Sequence, residues 1–312
     1  MDRVTTSNTY STLTANLMAS EVQQSQLEQE VSTGKLANNL EGFGMNAEAL
    51  TAAQGLLTQV NGYVQNVSTV TNTLDAQDTA LTQVSDAGSS ARQAIAQALA
   101  TGSAQGLMSS LQSYFSQAVD GLNTQYNGQY LFAGSKVTTA PVAAQQLSDL
   151  TSPPANGVFQ NDQLATTTQL NSTTTVQTGM LASNVGGSLF SAFQSMEAFD
   201  QGGSGPLNGT LTQAQTTFLQ GMLQQFDAAN QGVTDVQAQN GLVQNQVSDA
   251  LTNEQNRQTT LQNIIGSMSS ADMAQVSSQL SQTQTAIQAS ARIFTSLQND
   301  SLINYLSPTT TG

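Results

Sequence analysis

Glu28 and Glu30, Glu41 and Glu48, and the lysines Lys35 and Lys136 are the side chains from which chemistry would have to be built, because the 312-residue chain contains neither His nor Cys. Without imidazole and thiolate, zinc, haem and thiol chemistry lose their usual ligands. What remains is carboxylate pairs, Ser–Lys dyads and tyrosines. Glu28 and Glu30 stand two apart in a helical pattern and so point to different faces. Glu41 and Glu48 flank a glycine-rich connector, where a solvated surface role fits better than acid–base work. Gly42-Phe43-Gly44 lacks the remainder of a dinucleotide-binding fingerprint. No catalytic, cofactor-binding or metal-ligating residue is expected, and the chain does not read as an enzyme.

Composition points the same way. Charged residues make up 8% of the chain, against about 25% in ordinary domains. Gln, Ser, Thr and Asn take the polar positions, and such neutral helix faces pack against copies of themselves without like-charge repulsion or heavy desolvation cost. The net charge is −14, from 20 acids against 6 scattered bases. No basic patch exists, so neither nucleic acid nor an anionic membrane surface is an expected partner. No run approaches the ~18 apolar residues of a membrane span. The first residues, MDRVTTSNTYSTLTANLMAS, hold no apolar core of a secretory signal. An exported chain of this kind is expected to leave the cell without a cleaved signal peptide.

The elements follow from where proline is absent. The prolines are Pro141, Pro153, Pro154, Pro206 and Pro308, which leaves 1–140 and 207–307 free to form long helices. Near the start, Tyr10, Leu13, Leu17, Leu27 and Val31 fall on alternating three- and four-residue steps, with Ser20 and Gln24 in the gaps. Near the end, Met273, Val276, Leu280, Thr283, Ile287, Ser290, Phe294 and Leu297 do the same. Such a 3.5-residue repeat makes one seam per helix and calls for a partner helix. The two ends are therefore expected to pair with each other.

Between them, a helix is expected from about Ser7 to Val31, ending at Gly34, and another from about Asn46 to Ala100 with a change of heptad phase after Leu81. A third covers about Ala104 to Tyr126. Beyond Gly232, Val233, Val236, Asn240, Val243, Val247, Ala250, Glu254, Arg257, Leu261 and Ile264 form a run that Gly266 interrupts. The stretch 134–205 reads as helix-poor, with a small hairpin turning near Asn171-Ser172. The fold class is thus mainly α: a long antiparallel helical bundle or coiled coil formed by the N- and C-terminal regions, with a small β-containing middle insertion. The expected division is 1–40 with 270–312 as a terminal coiled-coil domain, 41–136 with 205–269 as a helical core, and 137–204 as a small variable outer domain. Assembly is expected to use Leu13, Leu17, Leu27 and Val31 with Ile287, Phe294, Leu297, Leu302 and Leu306.

One string is specific. Gly128-Gln129-Tyr130-Leu131-Phe132-Ala133-Gly134-Ser135, preceded by Asn123-Thr124-Gln125-Tyr126-Asn127, resembles the turn from the last core helix into a hairpin in the flagellin family, in its hook–filament junction branch (the hook-associated protein 3 type). Val31-Ser32-Thr33-Gly34-Lys35 and Ser301-Leu302-Ile303-Asn304-Tyr305-Leu306 are similar to that family's first helix end and C-terminal segment. Gly128, Tyr130, Leu131, Phe132 and Gly134 carry the motif. Many members follow the Ser-Thr-Gly-Lys segment with Asp-Asp-Pro, where this chain has Ala37-Asn38-Asn39-Leu40-Glu41.

The resemblance implies a non-enzymatic, extracellular subunit of the bacterial flagellum without cofactors. It implies type III export, self-association, and as partners a hook-side junction protein, flagellin and an export chaperone. Rival readings are flagellin itself, with the same terminal seams, and a secreted coiled-coil effector or adhesin whose middle segment binds a ligand.

Overall fold

The computed structural model describes the backbone of residues 2–151 and 155–306, and the side chains of these except 2–7, 9, 155–156 and 298–306. By its contacts the chain falls into two compact units, Met1–Thr58 with Gln258–Gly312, and Gln59–Arg257.

The first unit is built on two antiparallel helices, α1 (Asp2–Thr33) and α6 (Met273–Leu306). At one end the ring of Tyr10 meets that of Phe294 edge-on at 5.7 Å. At the other, Lys35 bridges Ser270, with the Leu36 N–H donating to Ser269 O at 2.9 Å and the Ala271 N–H to Gly34 O at 3.0 Å. Gly34 ends α1 at φ 68°, its N–H reaching back to Glu30 O at 2.8 Å, which is the left-handed cap its position predicts. A short 3₁₀ turn, Glu41–Asn46, leads into α2 (Ala47–Thr101). The fifth helix (Gln213–Ser269) runs through Gly266 instead of stopping there. One helical glycine costs only about 1 kcal/mol, and the chain breaks where Asp272 supplies a cap. Its Oδ1 accepts the N–H groups of Ala274 and Gln275 at 3.0 and 3.2 Å.

The second unit holds the rest of α2, then α3 (Leu107–Leu122), the hairpin β1 (Gln125–Tyr126) and β2 (Gln129–Tyr130), the hairpin β3 (Thr167–Gln169) and β4 (Thr175–Gln177), α4 (Ala182–Asp200) and most of α5 (Gln213–Ser269). Both hairpins are antiparallel. The β3–β4 turn forms at the expected place because Asn171 Oδ1 accepts the N–H groups of Thr173 and Thr174 at 3.0 and 2.8 Å. A reciprocal box starts α5: the Thr212 N–H donates to Gln215 Oε1 at 3.0 Å, and the Gln215 N–H to Thr212 Oγ1 at 3.3 Å.

Helix α4 departs from the helix-poor expectation for the middle of the chain. Its buried residues Val185, Leu189, Phe190, Ala192, Phe193 and Met196 fall on one side of the helix at three- and four-residue steps, a period that reading 134–205 by its prolines and glycines passes over. Phe190 and Phe193 meet Phe115 of α3 at 5.0 and 5.5 Å, and Phe193 meets Phe226 of α5 at 5.1 Å. The middle stretch thus lends its aromatic residues to the core of the second unit.

The heptad phase of α2 also shifts earlier than its sequence suggests. One column, Ala53, Val60, Val67, Leu74, Leu81 and Ile95, stays buried throughout. The other passes from Leu50, Leu57 and Val64 to Val70, Gln77, Val84, Ala91 and Ala98, so Gln77 is buried and Asp78 exposed. In α5 the same one-residue slip exposes Arg257 and Ile264. Arg257 instead reaches Glu254, whose carboxylate is buried, with Nη1 at 3.1 Å from Oε1.

Candidate assembly interface and the Gly128 to Gly134 turn

Between Val276 and Leu297, every residue of the α6 heptad is buried or half-buried and every other side chain is exposed. Ile287, Phe294 and Leu297 sit on that seam, half-buried. On α1, Leu13 and Leu17 are half-buried and Leu27 is buried to 5% exposure, while Val31 is 37% exposed. After Leu27 the α1 seam takes Glu30 in place of Val31, where the chain nears the Lys35–Ser270 bridge. Leu302 and Leu306 lie outside the residues whose side chains are described.

A two-helix seam hides only one stripe of each helix. Off the seam, Met18 and Val22, one turn apart on α1, are 60% and 59% exposed, and Ile293 on α6 is exposed as well. Leu36, Leu40 and Met45 of the connector are exposed too, Met45 fully. The heptad does not mark these residues, because they lie off it.

The motif string folds as a hairpin and its continuation. Asn127 and Gly128 take φ of 51° and 77°, the paired left-handed conformations of a two-residue turn. The Tyr130 N–H donates to Val137 O at 2.9 Å and the Leu131 N–H to Thr124 O at 3.1 Å. Phe132 is fully buried, and its carbonyl accepts the N–H of Ala182 at 2.9 Å, which ties the motif to the start of α4. Gly134, at φ 69°, lies against Asp162, so that a Cβ there would run into the carboxylate. Asp162 accepts the hydroxyl of Ser135 and the N–H groups of Ser135 and Leu164, the latter two at 3.1 and 3.0 Å. These donors, the hydroxyl foremost, hold its carboxyl below the usual aspartate range. Asp162 gave no signal in the sequence, being one solvated acid among many.

Ser32 and Lys35 have the Ser-x-x-Lys spacing, a coincidence that sequence inspection passes over, but both are exposed and no hydrogen bond joins them among the described residues. No cluster of three or more metal-ligating side chains occurs among the described residues, and no helix there is long and apolar enough to cross a membrane.

Comparison with known proteins places this architecture. Residues 4–137 match the family model of the bacterial flagellin N-terminal helical region, and residues 223–306 that of the C-terminal helical region. Among solved structures, the fold is similar to a putative flagellar hook-associated protein from Vibrio parahaemolyticus, with a TM-score of 0.59 and 18% identity over 72% of this chain and 97% of that one. It is also similar to FlgL of Bacillus cereus, with a TM-score of 0.56 and 16% identity over 69% of this chain and 99% of that one. No curated protein matches significantly. With both terminal helical regions present and matched over most of its length, the chain belongs to the bacterial flagellin family.

Proposed function

We propose that this protein is the subunit joining the flagellar hook to the filament, polymerising through its paired terminal helices. Membership of the flagellin family makes it a structural component of the flagellum. The observation that carries the finer reading is the terminal unit itself. Its single seam leaves Met18, Val22, Leu40, Met45 and Ile293 outside, where only a neighbouring subunit would bury them. Each such side chain, once covered, contributes roughly 1.5–3 kcal/mol of transfer free energy. Contacts of this kind are heterologous and repeat along a tube.

Two features favour the junction over the filament. One is the Gly128-Gln129-Tyr130-Leu131-Phe132-Ala133-Gly134 string; the other is the hook-associated character of the structural relatives. In this reading residues 1–40 with 270–312 form the assembling part and 41–136 with 205–269 the helical core. The segment 137–204, whose α4 packs into that core, turns its other side outward. The partners are copies of itself, a hook-side junction protein and flagellin, and export proceeds unfolded through the type III route with a chaperone.

Gold labelling of isolated hook–filament preparations tests this. Label confined to a short zone at the hook supports it; label along the whole filament identifies a flagellin, and label absent from the organelle points to a secreted effector or adhesin. Leu17→Asp should leave the protein exported but hooks bare, with flagellin shed into the medium. Normal motility in that strain would overturn the role of the terminal pairing.

A further inference from the structure

Between α2 and the two hairpins of the second unit lies a groove of about 300 Å³, at the lower end of the range of about 300–1,000 Å³ in which small-molecule sites fall. Its floor is α2, with Thr69, Val70, Thr73 and Gln77. One wall is the motif hairpin, with Tyr126 and Tyr130, and the other is the β3–β4 hairpin, with Thr166 and Thr168.

The β3–β4 wall is fastened to the floor before any ligand arrives. Asn66 Nδ2 donates to Gln169 O at 2.9 Å, and Gln77 Nε2 to Thr178 O at 3.2 Å. The hydroxyls of Thr168 and Thr178 bond each other at 2.9 Å.

One group at this site is left wanting. Gln77, one of the residues around the groove, is 2% exposed, and its buried Oε1 has no hydrogen-bond partner among the described residues. A buried carbonyl oxygen of that kind calls for a donor. Tyr126 and Tyr130 are half-buried, and neither phenol is hydrogen-bonded among the described residues. The remaining polar lining is hydroxyl and amide, and no charged side chain is part of it.

From this lining we infer that the groove binds a neutral saccharide ring. An ion would enter with nothing to neutralise it. A purely apolar ligand would leave Gln77 Oε1 without a donor. A pyranose offers hydroxyl donors to Gln77 Oε1, further hydroxyls for Thr69, Thr73 and Thr166, and an apolar C–H face for a tyrosine ring. Most of the contacts come from residues already held in place, so little order has to be created on binding.

The test is saturation-transfer difference NMR on the full-length protein with glucose, galactose and N-acetylglucosamine. The same rings are then offered as terminal units of oligosaccharides, with N-acetylneuraminic acid as the charged comparison. Expected is transfer to at least one neutral ring and none to the charged one, with Kd weakened about tenfold or more, a change of 1.4 kcal/mol, in both Gln77→Leu and Tyr130→Ala. Tyr130 is half-buried at the rim, so Tyr130→Ala keeps the test available if Gln77→Leu does not fold. Transfer confined to the terminal ring of an oligosaccharide identifies a glycan as the source; equal transfer to the free sugar identifies a soluble one. No transfer to any neutral sugar, or equal transfer in wild type and both variants, overturns the proposal. So does a crystal structure grown with the sugars that shows only water on Gln77 Oε1, or a groove filled by a second copy of the chain.

Discussion

Asn123 pairs with the backbone of Val142 through both ends of its amide: Nδ2 donates to Val142 O at 3.0 Å, and Oδ1 accepts the Val142 N–H at 2.9 Å. One side chain thereby does the work of a β-bridge, fixing the segment after the motif hairpin onto the end of α3. Val142 is buried, so its backbone has no water to turn to. Asn123→Ala should destabilise the second unit by about 1–3 kcal/mol, read as a lower urea midpoint. Asn123→Asp keeps the acceptor and should lose less. Unchanged unfolding of the alanine variant would mean that water replaces the amide there.

Gly128 and Gly134 both have positive φ but differ in surroundings. A Cβ on Gly128 meets nothing within 4 Å, so Gly128→Ala should lose only the left-handed backbone penalty, about 1–2 kcal/mol. At Gly134 the added carbon also meets Asp162 and stands 3.1 Å from the carbonyl oxygen of Leu164. Gly134→Ala should therefore be clearly the more damaging in thermal unfolding followed by circular dichroism. Equal losses would show that the loop around Asp162 yields freely.

Leu27 and Val31 stand four apart on α1, buried and exposed respectively. In the isolated subunit, Leu27→Ala should weaken the terminal unit by about 2–5 kcal/mol, while Val31→Ala stays within about 0.5 kcal/mol. Hydrogen exchange of α1 and α6 amides reads both. If Val31→Ala raises exchange as much as Leu27→Ala, the seam continues past Leu27 after all.

Asn240 is buried in α5 with Nδ2 on Leu74 O at 3.1 Å, while Oδ1 has no partner among the described residues. The Leu74 carbonyl lies within α2, where a helical N–H serves it as well. Asn240→Leu removes the orphaned oxygen and should raise stability by about 1 kcal/mol. A lower midpoint for Asn240→Leu would instead assign the asparagine a needed contact.

Two aspartates are held low by hydrogen bonds that the fold supplies. The Ser135 hydroxyl and backbone amides hold Asp162 low, and the Gln145 and Gln146 amides do the same for Asp149. A carboxyl whose folded value is lowered contributes stability that is fully present above its unfolded value, about 3.9. That contribution is lost as the pH falls through the lowered value. The thermal midpoint should thus be flat from neutrality to about pH 5 and fall below about pH 4. Asp149→Asn and Asp162→Asn together should flatten that acid limb, and an unaltered limb would place the sensitivity elsewhere.

Sequence alone determined the long helices, because proline is absent from both flanks and the terminal heptads are one-dimensional signals that survive without tertiary knowledge. It also determined the Gly34 cap and the Asn171 turn, where a residue's own backbone freedom or side chain decides the conformation, whereas the stretch to Tyr126 reads as helix and folds beyond Leu122 into the strand Gln125–Tyr126. Tertiary structure decided the rest. Helix α4 carries a one-sided apolar period, but prolines and glycines surround it in the chain, and only its packing on α3, α5 and the 3₁₀ turns makes this stretch part of the core. The choice of Gln77 over Asp78 as the buried seam residue depends on what the other elements bring, since the hairpin carbonyl of Thr178 lies where a glutamine amide can reach it. The meeting of Tyr126, Tyr130 and Gln77 around one groove joins residues about fifty positions apart in the chain, and no local spacing rule connects them.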